Sequence, residues 1–415
     1  MNRRRVVITG LGAITALGNT IEAFWDNLLR GQSGIRRITH FDASMLPCQI
    51  AGEIPDFDPG QYMDRKEARR VSRSAQVALA AAQQAVADAG LPATMPDSER
   101  AGVVFGTAIG GVDRFDEAIT QMRTQGYERT NPFSIPAGIP NLASFMIARQ
   151  FQCTGPNCTI TTACATGTQS VGEAAELIRR GAADIVITGG SEAVIKDFAI
   201  IGFIAMRALP VNFNDRPEKA SRPFDKDREG FIFSEGAGAL VIESLEHALA
   251  RNVPIYAEIV GHASSCDAYH VAAPDPTAAG PSRAMRWALK DAGLDPAEVD
   301  YINAHGTSTP LNDPNETRAI KNIFGEHAYR VAISSTKSMI GHAMGASGAL
   351  EAIVCVLTIK HQIIHPTINY ETPDPECDLD YVPNTARPAQ VRVTLSNSFG
   401  LGGQNACLVL KKYQP

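Results

Sequence analysis

Residues 74–91, SAQVALAAAQQAVADAGL, carry apolar side chains at helical spacing and end on the tetrapeptide DAGL. The pattern predicts an amphipathic helix. After a spacer comes RAGVVFGTAIGG at 100–111, whose short apolar run predicts a buried strand that leads into a turn of Gly and Thr. This succession of helix, strand and turn decides the fold, because the chain repeats it.

The repeat lies in the second part of the chain. PSRAMRWALKDAGL at 281–294 is again a helix that ends in DAGL, and VDYINAHGTSTP at 299–310 is again a strand before a Gly/Thr turn. Two more pairs match in the same order: ACATGTQSVGEAAELI with GHAMGASGALEAIVCVL, and EGAGALVIE with LGGQNACLVL. Four matched elements predict two similar α/β halves, residues 1–255 and 256–415, each with a sheet and helices.

The packing of the two halves follows from their composition. Strands such as ADIVITGG and RVAISST are almost continuously apolar, which indicates sheets covered on both faces. The Gly/Ala-rich helices of the two halves are expected to pack against each other, since only small residues allow such close approach. The loops at their N-termini then converge, and those loops carry Cys164, His305 and His342.

Composition excludes several function classes. The 415 residues are 44% hydrophobic and 20% charged, with a net charge of -6, which disfavours general binding to nucleic acids or anionic membranes. No apolar run approaches the roughly 18 residues of a membrane span, and the start MNRRRVVITG reads as a first strand rather than a signal peptide. The glycine-rich turns lack the remaining residues of a nucleotide-binding motif. We therefore expect a cytoplasmic protein whose eight cysteines are mostly reduced.

Cys164 lies in TTACATG, residues 161–167, where small residues surround the sulfur. They either allow tight packing or leave space for a substrate to reach the thiol, and the heptapeptide alone leaves both interpretations open. Because a helix is predicted to begin at or just after Cys164, its dipole and unpaired N–H groups favour a thiolate there. The N–H of Cys164 is also placed to stabilise an oxyanion.

Two histidines and an ion pair complete the candidate residues. His305 and His342 each adjoin a glycine at the mouth of a turn, although a lone loop histidine is more often structural. The other seven histidines lack such settings and are interpreted as structural. Lys337 and Glu351 flank His342 in a mostly apolar segment, where buried charges need each other as partners.

Six motifs occur together and in a fixed order. They are TACATGTQSVGEA, SRPFDKDREGF, EGAGALVIE, DAYH, NAHGTSTPLND and KSMIGHAMGASGALE, followed by the C-terminal SNSFGLGGQNACLVLKK. In this combination the chain resembles the β-ketoacyl-acyl-carrier-protein synthases of the thiolase superfamily, above all the type II elongating enzymes of bacterial fatty-acid synthesis. The resemblance implies a duplicated thiolase-like fold, in which two βαβαβαββ halves form a five-layered αβαβα sandwich. It also implies a homodimer to which NPFSIPAGIPNLAS, residues 131–144, contributes.

The resemblance implies a decarboxylating Claisen condensation that adds two carbons to an acyl chain. Cys164 is expected to carry the acyl chain, and His305 and His342 to hydrogen-bond the malonyl thioester carbonyl as carbon dioxide leaves. The oxyanion is expected on the N–H groups of Cys164 and Leu401. Lys337 and Glu351 are expected to hold the His342 loop.

Further roles are carried over from the family in the same way. Thr307 and Thr309 are expected to bind the pantetheine arm on which acyl carrier protein delivers both substrates, and no bound cofactor is expected. The acyl pocket and its gate are expected to comprise Ile109, Phe203, Phe399 and Leu401, with Leu401 where the family usually has Phe. No metal is required, although a monovalent cation near Asn303, Glu351, Ser396 and Asn397 fits some relatives.

The acidic carrier protein is expected to dock on basic side chains. RKEARRVSR, residues 65–73, places Arg65, Arg69 and Arg73 on one face of a predicted helix. The expected contacts are Lys66, Arg69, Arg70 and Arg207. A charged helix face is otherwise usually just solvated.

Two alternatives remain beside the fatty-acid enzyme. A polyketide ketosynthase shares the Cys and the two His and differs in pocket and partner. A non-catalytic chain-length subunit lacks the nucleophile, so Cys164 argues against it.

Overall fold

The computed structural model describes residues 3–415, which form fourteen strands and thirteen α-helices. The strands are β1 (Val6–Ile14), β2 (Arg36–Arg37), β3 (Ile50–Ala51), β4 (Ala101–Gly106), β5 (Asn157–Cys158), β6 (Ile185–Glu192), β7 (Gly236–Ser244), β8 (Ala257–Cys266), β9 (Tyr301–Asn303), β10 (Ala332–Ser334), β11 (Ile363–Ile364), β12 (Arg387–Pro388), β13 (Val393–Gly400) and β14 (Gln404–Lys411). The helices are α1 (Ile21–Leu29), α2 (Arg65–Ala68), α3 (Arg73–Asp88), α4 (Val112–Gln125), α5 (Ser134–Gly138), α6 (Leu142–Phe151), α7 (Thr166–Arg179), α8 (Asp197–Ala205), α9 (Leu245–Arg251), α10 (Ala279–Ala292), α11 (Asn312–Phe324), α12 (Lys337–Ile340) and α13 (Ser347–His361).

Ten of the strands form two five-stranded sets with mirrored order. One set runs β1-β7-β6-β4-β5, the other runs β8-β14-β13-β9-β10, and the two are joined edge to edge by β1 and β8. In each set the first three strands are antiparallel neighbours and the last three are parallel. The junction is short, because only two residue pairs link β1 to β8. The sequence did not predict this junction.

The helices occupy the layers that the repeat predicted. Helices α3 and α10, the two DAGL helices, cover the outer faces of the two sets, while α7 and α13 pack against each other and against strands of both sets. The small residues at this crossing are required: a Cβ on Gly167 would lie 2.5 Å from the backbone N of Ala349, and one on Gly348 would lie 2.4 Å from that of Thr168. The thiolase-like α/β fold is thereby confirmed.

The prediction that no apolar run approaches membrane-span length was wrong. Within the described residues, the segment Met344–His361 is long and apolar enough to cross a membrane, judged by length and composition alone. However, 89% of this segment is buried inside the protein. It contains α13, which is apolar on nearly every side because it contacts strands of both sets. The pattern is therefore that of a core helix.

Candidate active site

Three turns bring Cys164, His305 and His342 together at the junction of the halves. Cys164 lies in a short 3₁₀ turn before α7, His305 follows β9, and His342 follows α12. The cysteine Sγ and one ring nitrogen of each histidine lie within 4.8 Å of one another. All three side chains are at most 5% exposed. The predicted convergence of these loops is therefore seen in the structure.

The backbone around Cys164 presents the sulfur to two N–H groups. Ala163 has φ +50°, a conformation that a non-glycine residue rarely adopts and that costs about 1–3 kcal/mol. The turn is supported by the N–H of Thr162, which donates to Thr166 Oγ1 at 2.8 Å. The backbone N–H groups of Leu401 and of Cys164 itself both act to lower the pKa of the thiol. A strained turn thus places the sulfur beside two donors that suit an oxyanion.

The expectation of a favoured thiolate was wrong for the free site. Burial raises the pKa of Cys164 to about 11, although the N–H of Leu401 and the charge of Lys337 act in the opposite direction. Desolvation of a charged sulfur therefore outweighs the local donors and the helix dipole. The thiol of the free site is therefore protonated at neutral pH.

We expect the rate of Cys164 alkylation by iodoacetamide to rise about tenfold per pH unit through pH 9, because the reactive thiolate is a small fraction below its pKa. The rate is measured by quantitative mass spectrometry of the Cys164 peptide. Exposed Cys266 in the same digest serves as an internal reference. A plateau of the Cys164 rate near neutral pH would contradict the raised pKa.

His342 is fixed as a neutral donor. The N–H of Met344 donates to its Nδ1 at 3.2 Å, and Ser347 Oγ lies 3.0 Å from the same nitrogen. Because Nδ1 accepts, the proton resides on Nε2, which is buried and has no protein partner. Burial, followed by the charge of Lys337, holds the pKa of His342 well below its usual range. Backbone bonds with Ile232 and Ser234, at 2.7 and 3.0 Å, hold the residue in place.

His305 lies across from His342, and its ring is also neutral at neutral pH. The two rings are 5.4 Å apart and nearly perpendicular. Burial lowers the pKa of His305 well below its usual range, with smaller effects from Lys337 and His342. One Cys and two His resemble a zinc ligand set, but the proton on His342 Nε2 disfavours metal binding there. The arrangement instead supplies neutral imidazoles beside a thiol.

Lys337 and Glu351 form a buried ion pair behind the histidines. Both side chains are at most 1% exposed, and Lys337 Nζ contacts Glu351 Oε1. Burial raises the pKa of Glu351 to about 7, while Lys337 lowers it. Removal of either charge leaves the other buried without a partner.

The residues expected near a cation differ in their state. Asn303 Oδ1, Glu351 Oε2 and Ser396 Oγ are buried oxygens without hydrogen-bond partners. Asn303 and Ser396 face each other on β9 and β13, against which α13 packs. Unpaired buried oxygens fit a hard monovalent cation. Asn397 is occupied otherwise, because its Oδ1 accepts from Cys407 Sγ at 3.1 Å and its Nδ2 donates to Glu316 at 3.2 Å.

Two buried glutamates near the site were missed from the sequence. Glu316 accepts the backbone N–H groups of His305 and Gly306, both at 2.8 Å. Glu192 ends β6 and accepts bonds from two turns. Burial raises the pKa of each carboxyl to about 7. A single acid directly after an apolar strand, as in GGSEAV, is the only signal that pointed to Glu192.

A cavity of about 350 Å³ leads from the surface to the three reactive side chains. Thr307 and Thr309 line it, with their hydroxyls 2.9 Å apart, and Arg207 also lines it. Phe399 and Leu401 form part of its wall. Ile109 and Phe203 do not line this cavity: they pack on the inner side in an apolar cluster that includes Cys164. The expected pocket residues therefore divide into an entrance pair and an inner pair.

The basic segment 65–73 does not form one helix face as predicted. Helix α2 ends at Ala68, and α3 begins at Arg73 with Ser72 as its N-cap. Arg73 points inward, where its Nε donates to buried Glu235 at 2.7 Å. Lys66, Arg69 and Arg70 stay exposed.

Comparison with known proteins gives consistent matches over the chain. Residues 3–248 match the family described as Beta-ketoacyl synthase, N-terminal domain, and residues 256–371 match Beta-ketoacyl synthase, C-terminal domain. The sequence is 51% identical over 414 residues to the 3-oxoacyl-[acyl-carrier-protein] synthase 2 of Synechocystis sp., covering 100% of this chain and 99% of that protein.

Two solved structures are similarly close. The ishigamide ketosynthase/chain length factor superposes with a TM-score of 0.93 at 41% identity, covering 99% of this chain and 100% of the other. A type II PKS acyl-carrier protein in complex with its ketosynthase bound to the hexaketide gives a TM-score of 0.92 at 35% identity, with full coverage of both chains.

Proposed function

Because this chain belongs to the β-ketoacyl synthase family, we propose that it condenses malonyl-acyl-carrier protein with an acyl chain held on Cys164 and so elongates fatty acyl chains by two carbons. The observation that carries this proposal is a buried thiol within 4.8 Å of two imidazole nitrogens at the end of a cavity. The name of the Synechocystis relative supports the fatty-acid reaction. The activity is that of an acyltransferase.

The first half-reaction loads the acyl chain. The Cys164 sulfur attacks the thioester carbonyl of acyl-acyl-carrier protein, and the oxyanion is held by the N–H groups of Cys164 and Leu401. The carrier's pantetheine thiol leaves and takes the proton that the cysteine loses.

The second half-reaction makes the carbon–carbon bond. Neutral His305 and His342 donate to the malonyl thioester carbonyl, so the electrons freed as carbon dioxide leaves are stabilised as an enolate. The enolate carbon attacks the acyl-Cys164 carbonyl, the carbon–sulfur bond breaks, and the Cys164 thiolate that leaves takes one proton from solvent. Loss of carbon dioxide generates the nucleophile, so no external base is needed.

The surrounding residues position these groups. The Lys337–Glu351 pair lies behind both histidines and stabilises their neutral form through the charge of Lys337. Thr307 and Thr309 offer hydroxyls to the amides of the pantetheine arm along the cavity. The unpaired oxygens of Asn303, Glu351 and Ser396 would hold a monovalent cation, which would offset the nearby carboxylate charge. That the protein binds no cofactor and that it is located in the cytoplasm both stay predictions.

An elongation assay tests the proposal. Acyl-acyl-carrier proteins of several chain lengths are mixed with isotopically labelled malonyl-acyl-carrier protein, and the carrier is weighed by intact mass spectrometry. A single addition of two labelled carbons as a 3-oxoacyl product is the expected result. Repeated two-carbon additions without reduction of the 3-oxo group would favour the polyketide alternative. The similarity to the two solved ketosynthase structures is the reason to consider that alternative. Failure to form any product on native enzyme would contradict both.

We place carrier-protein docking on Lys66, Arg69, Arg70 and Arg207. The first three are exposed side chains, and Arg70 lies over the ring of Phe133 at 4.7 Å. Arg207 lines the cavity through which the arm must pass. The acyl-carrier protein in the type II PKS complex supports a carrier as partner.

Reversing Lys66 and Arg70 to Glu is expected to raise the KM for carrier-bound substrate about tenfold, because like charges then face an acidic partner. Small acyl thioesters should be turned over as by the native enzyme. Arg330→Glu is the control: this exposed residue precedes the edge strand β10 and does not line the cavity. Equal losses with both substrates would remove the docking role.

We further propose a homodimer. Exposed apolar side chains are concentrated in residues 119–145, namely Ile119, Met122, Tyr127, Phe133, Ile135, Ile139 and Phe145. Strand β5, just beyond them, lies at the edge of its set with one side unpaired. An apolar face beside an open strand edge suits pairing with a second copy.

Sedimentation of the native protein at micromolar concentration is expected to give twice the chain mass. Phe145→Asp, which puts a charge on this face, should shift the equilibrium toward the monomer. The distant Arg330→Glu variant should stay dimeric. A native monomer at that concentration would contradict the proposal.

A further inference from the structure

Glu192 is a buried carboxylate without a role in the reaction described above. It ends β6, is 0% exposed, and accepts hydrogen bonds from four donors. The donors are Ala108 N at 2.8 Å, Ile109 N at 3.2 Å, Thr107 Oγ1 at 3.0 Å and Gly345 N at 3.3 Å. A buried side chain bonded by donors from two separate segments ties those segments together.

The two segments serve different sides of the site. One is the turn 107–110 after β4, which carries Ile109 into the apolar cluster around Cys164. Thr107 reinforces this turn, because its Oγ1 also accepts the N–H of Gly110 at 3.0 Å. The turn therefore sets the inner wall that an acyl chain on Cys164 meets.

The other segment fixes His342. Met344, whose N–H determines the His342 tautomer, directly precedes Gly345. The two turns also touch: a Cβ on Gly345 would lie 2.5 Å from the backbone N of Ala108. Glu192 thus bonds an N-terminal turn and a C-terminal turn that are already in contact.

We propose that Glu192 is a positioning residue that couples acyl-chain selection to decarboxylation, because one carboxylate holds both the Ile109 turn and the turn that orients His342. The inference rests on the proposed condensing function. A carboxylate suits the place, since it offers two acceptor oxygens to four converging donors. Glutamine keeps one acceptor oxygen but turns an N–H₂ group toward other N–H groups.

Glu192→Gln is the test variant, and Glu316→Gln is its matched control. Glu316 is equally buried, at 1% exposed, its pKa is likewise raised to about 7, and it accepts two backbone N–H groups. Those groups belong to the His305 turn, and the third donor to Glu316 is Asn397 on β13, so none of its partners lies on the Ile109 turn. A general cost of losing a buried carboxylate is therefore shared by the two variants, whereas a link to the Ile109 turn is specific to Glu192.

Two rates are measured: Cys164 acylation by acyl thioesters of graded length, and carbon dioxide release from malonyl thioester. Glu192→Gln is expected to lower the rate of decarboxylation about tenfold, because the turn that orients His342 is displaced. It should also reduce the ratio of the acylation rates of the best and the worst acyl chain about fivefold, because the Ile109 turn is displaced as well. Glu316→Gln should lower decarboxylation with its acyl-chain profile within about twofold of native. Identical acyl-chain profiles in the two variants would overturn the proposal.

Hydrogen exchange on the native protein keeps the test independent of variant folding. The amides of Ala108, Ile109 and Gly345 should exchange at matched rates, and acylation of Cys164 should change the protection of Gly345 together with that of Ile109. If the Gly345 amide exchanges at a rate unrelated to those of Ala108 and Ile109, and does not respond when Cys164 is acylated, the proposed coupling is overturned. If the native enzyme forms no 3-oxoacyl product, the proposed function fails, but matched exchange of these amides would still show the mechanical link.

Discussion

Cys164→Ala is expected to abolish condensation, with a loss in kcat/KM of about 10⁴-fold or more, because the acyl chain then has no atom to bind. The loss should be confined to steps that need the sulfur. His305 and His342 take no support from the thiol, since Met344 fixes the His342 tautomer and Glu316 holds the His305 backbone. Native protein should form an adduct with a cysteine-directed acyl-chain mimic, and Cys164→Ala should not, by intact mass.

Cys164→Gln separates the two half-reactions. Its amide oxygen can accept from the N–H groups of Cys164 and Leu401, as the acyl carbonyl would, while the two imidazoles keep their place. Carbon dioxide release from malonyl-acyl-carrier protein without a 3-oxoacyl product is the expected outcome. If the acyl-chain mimic forms the same amount of adduct on native protein and on Cys164→Ala, the interpretation as an enzyme is contradicted. The non-catalytic chain-length subunit would then be the remaining interpretation.

Lys337→Met is expected to lower the free energy of unfolding by about 3–5 kcal/mol, because it leaves Glu351 buried without its charge partner. Decarboxylation should fall as well, since the charge of Lys337 helps to keep both histidines neutral. The double variant Lys337→Met/Glu351→Gln is the matched control. It should recover most of the stability, measured by denaturant unfolding, and none of the decarboxylation.

The stability loss depends on pH in a direction that the pKa of Glu351 sets. A carboxyl whose folded pKa is raised to about 7 binds its proton more tightly in the folded state, so its contribution is full at low pH and is lost as pH rises through about 7. Without the charge of Lys337, which lowers it, the pKa of the Glu351 carboxyl rises further. The penalty of Lys337→Met should therefore shrink as pH falls from about 8 through about 7 and change little below that, where Glu351 is protonated in both folded proteins. A penalty independent of pH would contradict an uncompensated charge as its cause.

Much of the fold was predictable because the same succession of helices and strands occurs in both halves of the sequence. The DAGL helices, the Gly/Ala-rich helices and the strands after them recur in order, and each corresponding pair occupies mirrored positions in the structure. The meeting of Cys164, His305 and His342 follows from the same repeat. The break between α2 and α3 was missed, because a run of basic residues continues across it and only Ser72 marks the new helix start.

The electrostatics of the site were harder to predict. The sequence shows a helix start beside Cys164 but not the burial that raises its pKa, since burial depends on side chains from both halves. Glu192 and Glu316 bind backbone N–H groups, and a backbone donor has no residue type to recognise in a sequence. Orphaned oxygens such as Ser396 Oγ appear only when every neighbour is in place.

The mirrored strand order has a consequence for how chemistry is shared between the halves. An assembly of two identical half-chains would set the same side chain on both sides of its axis, so a thiol would always face a thiol. Here one covalent chain carries both copies, joined through β1 and β8, and each copy was free to diverge. The near-symmetric scaffold therefore permits an asymmetric division of labour: the first half supplies the nucleophile, and the second supplies both imidazoles.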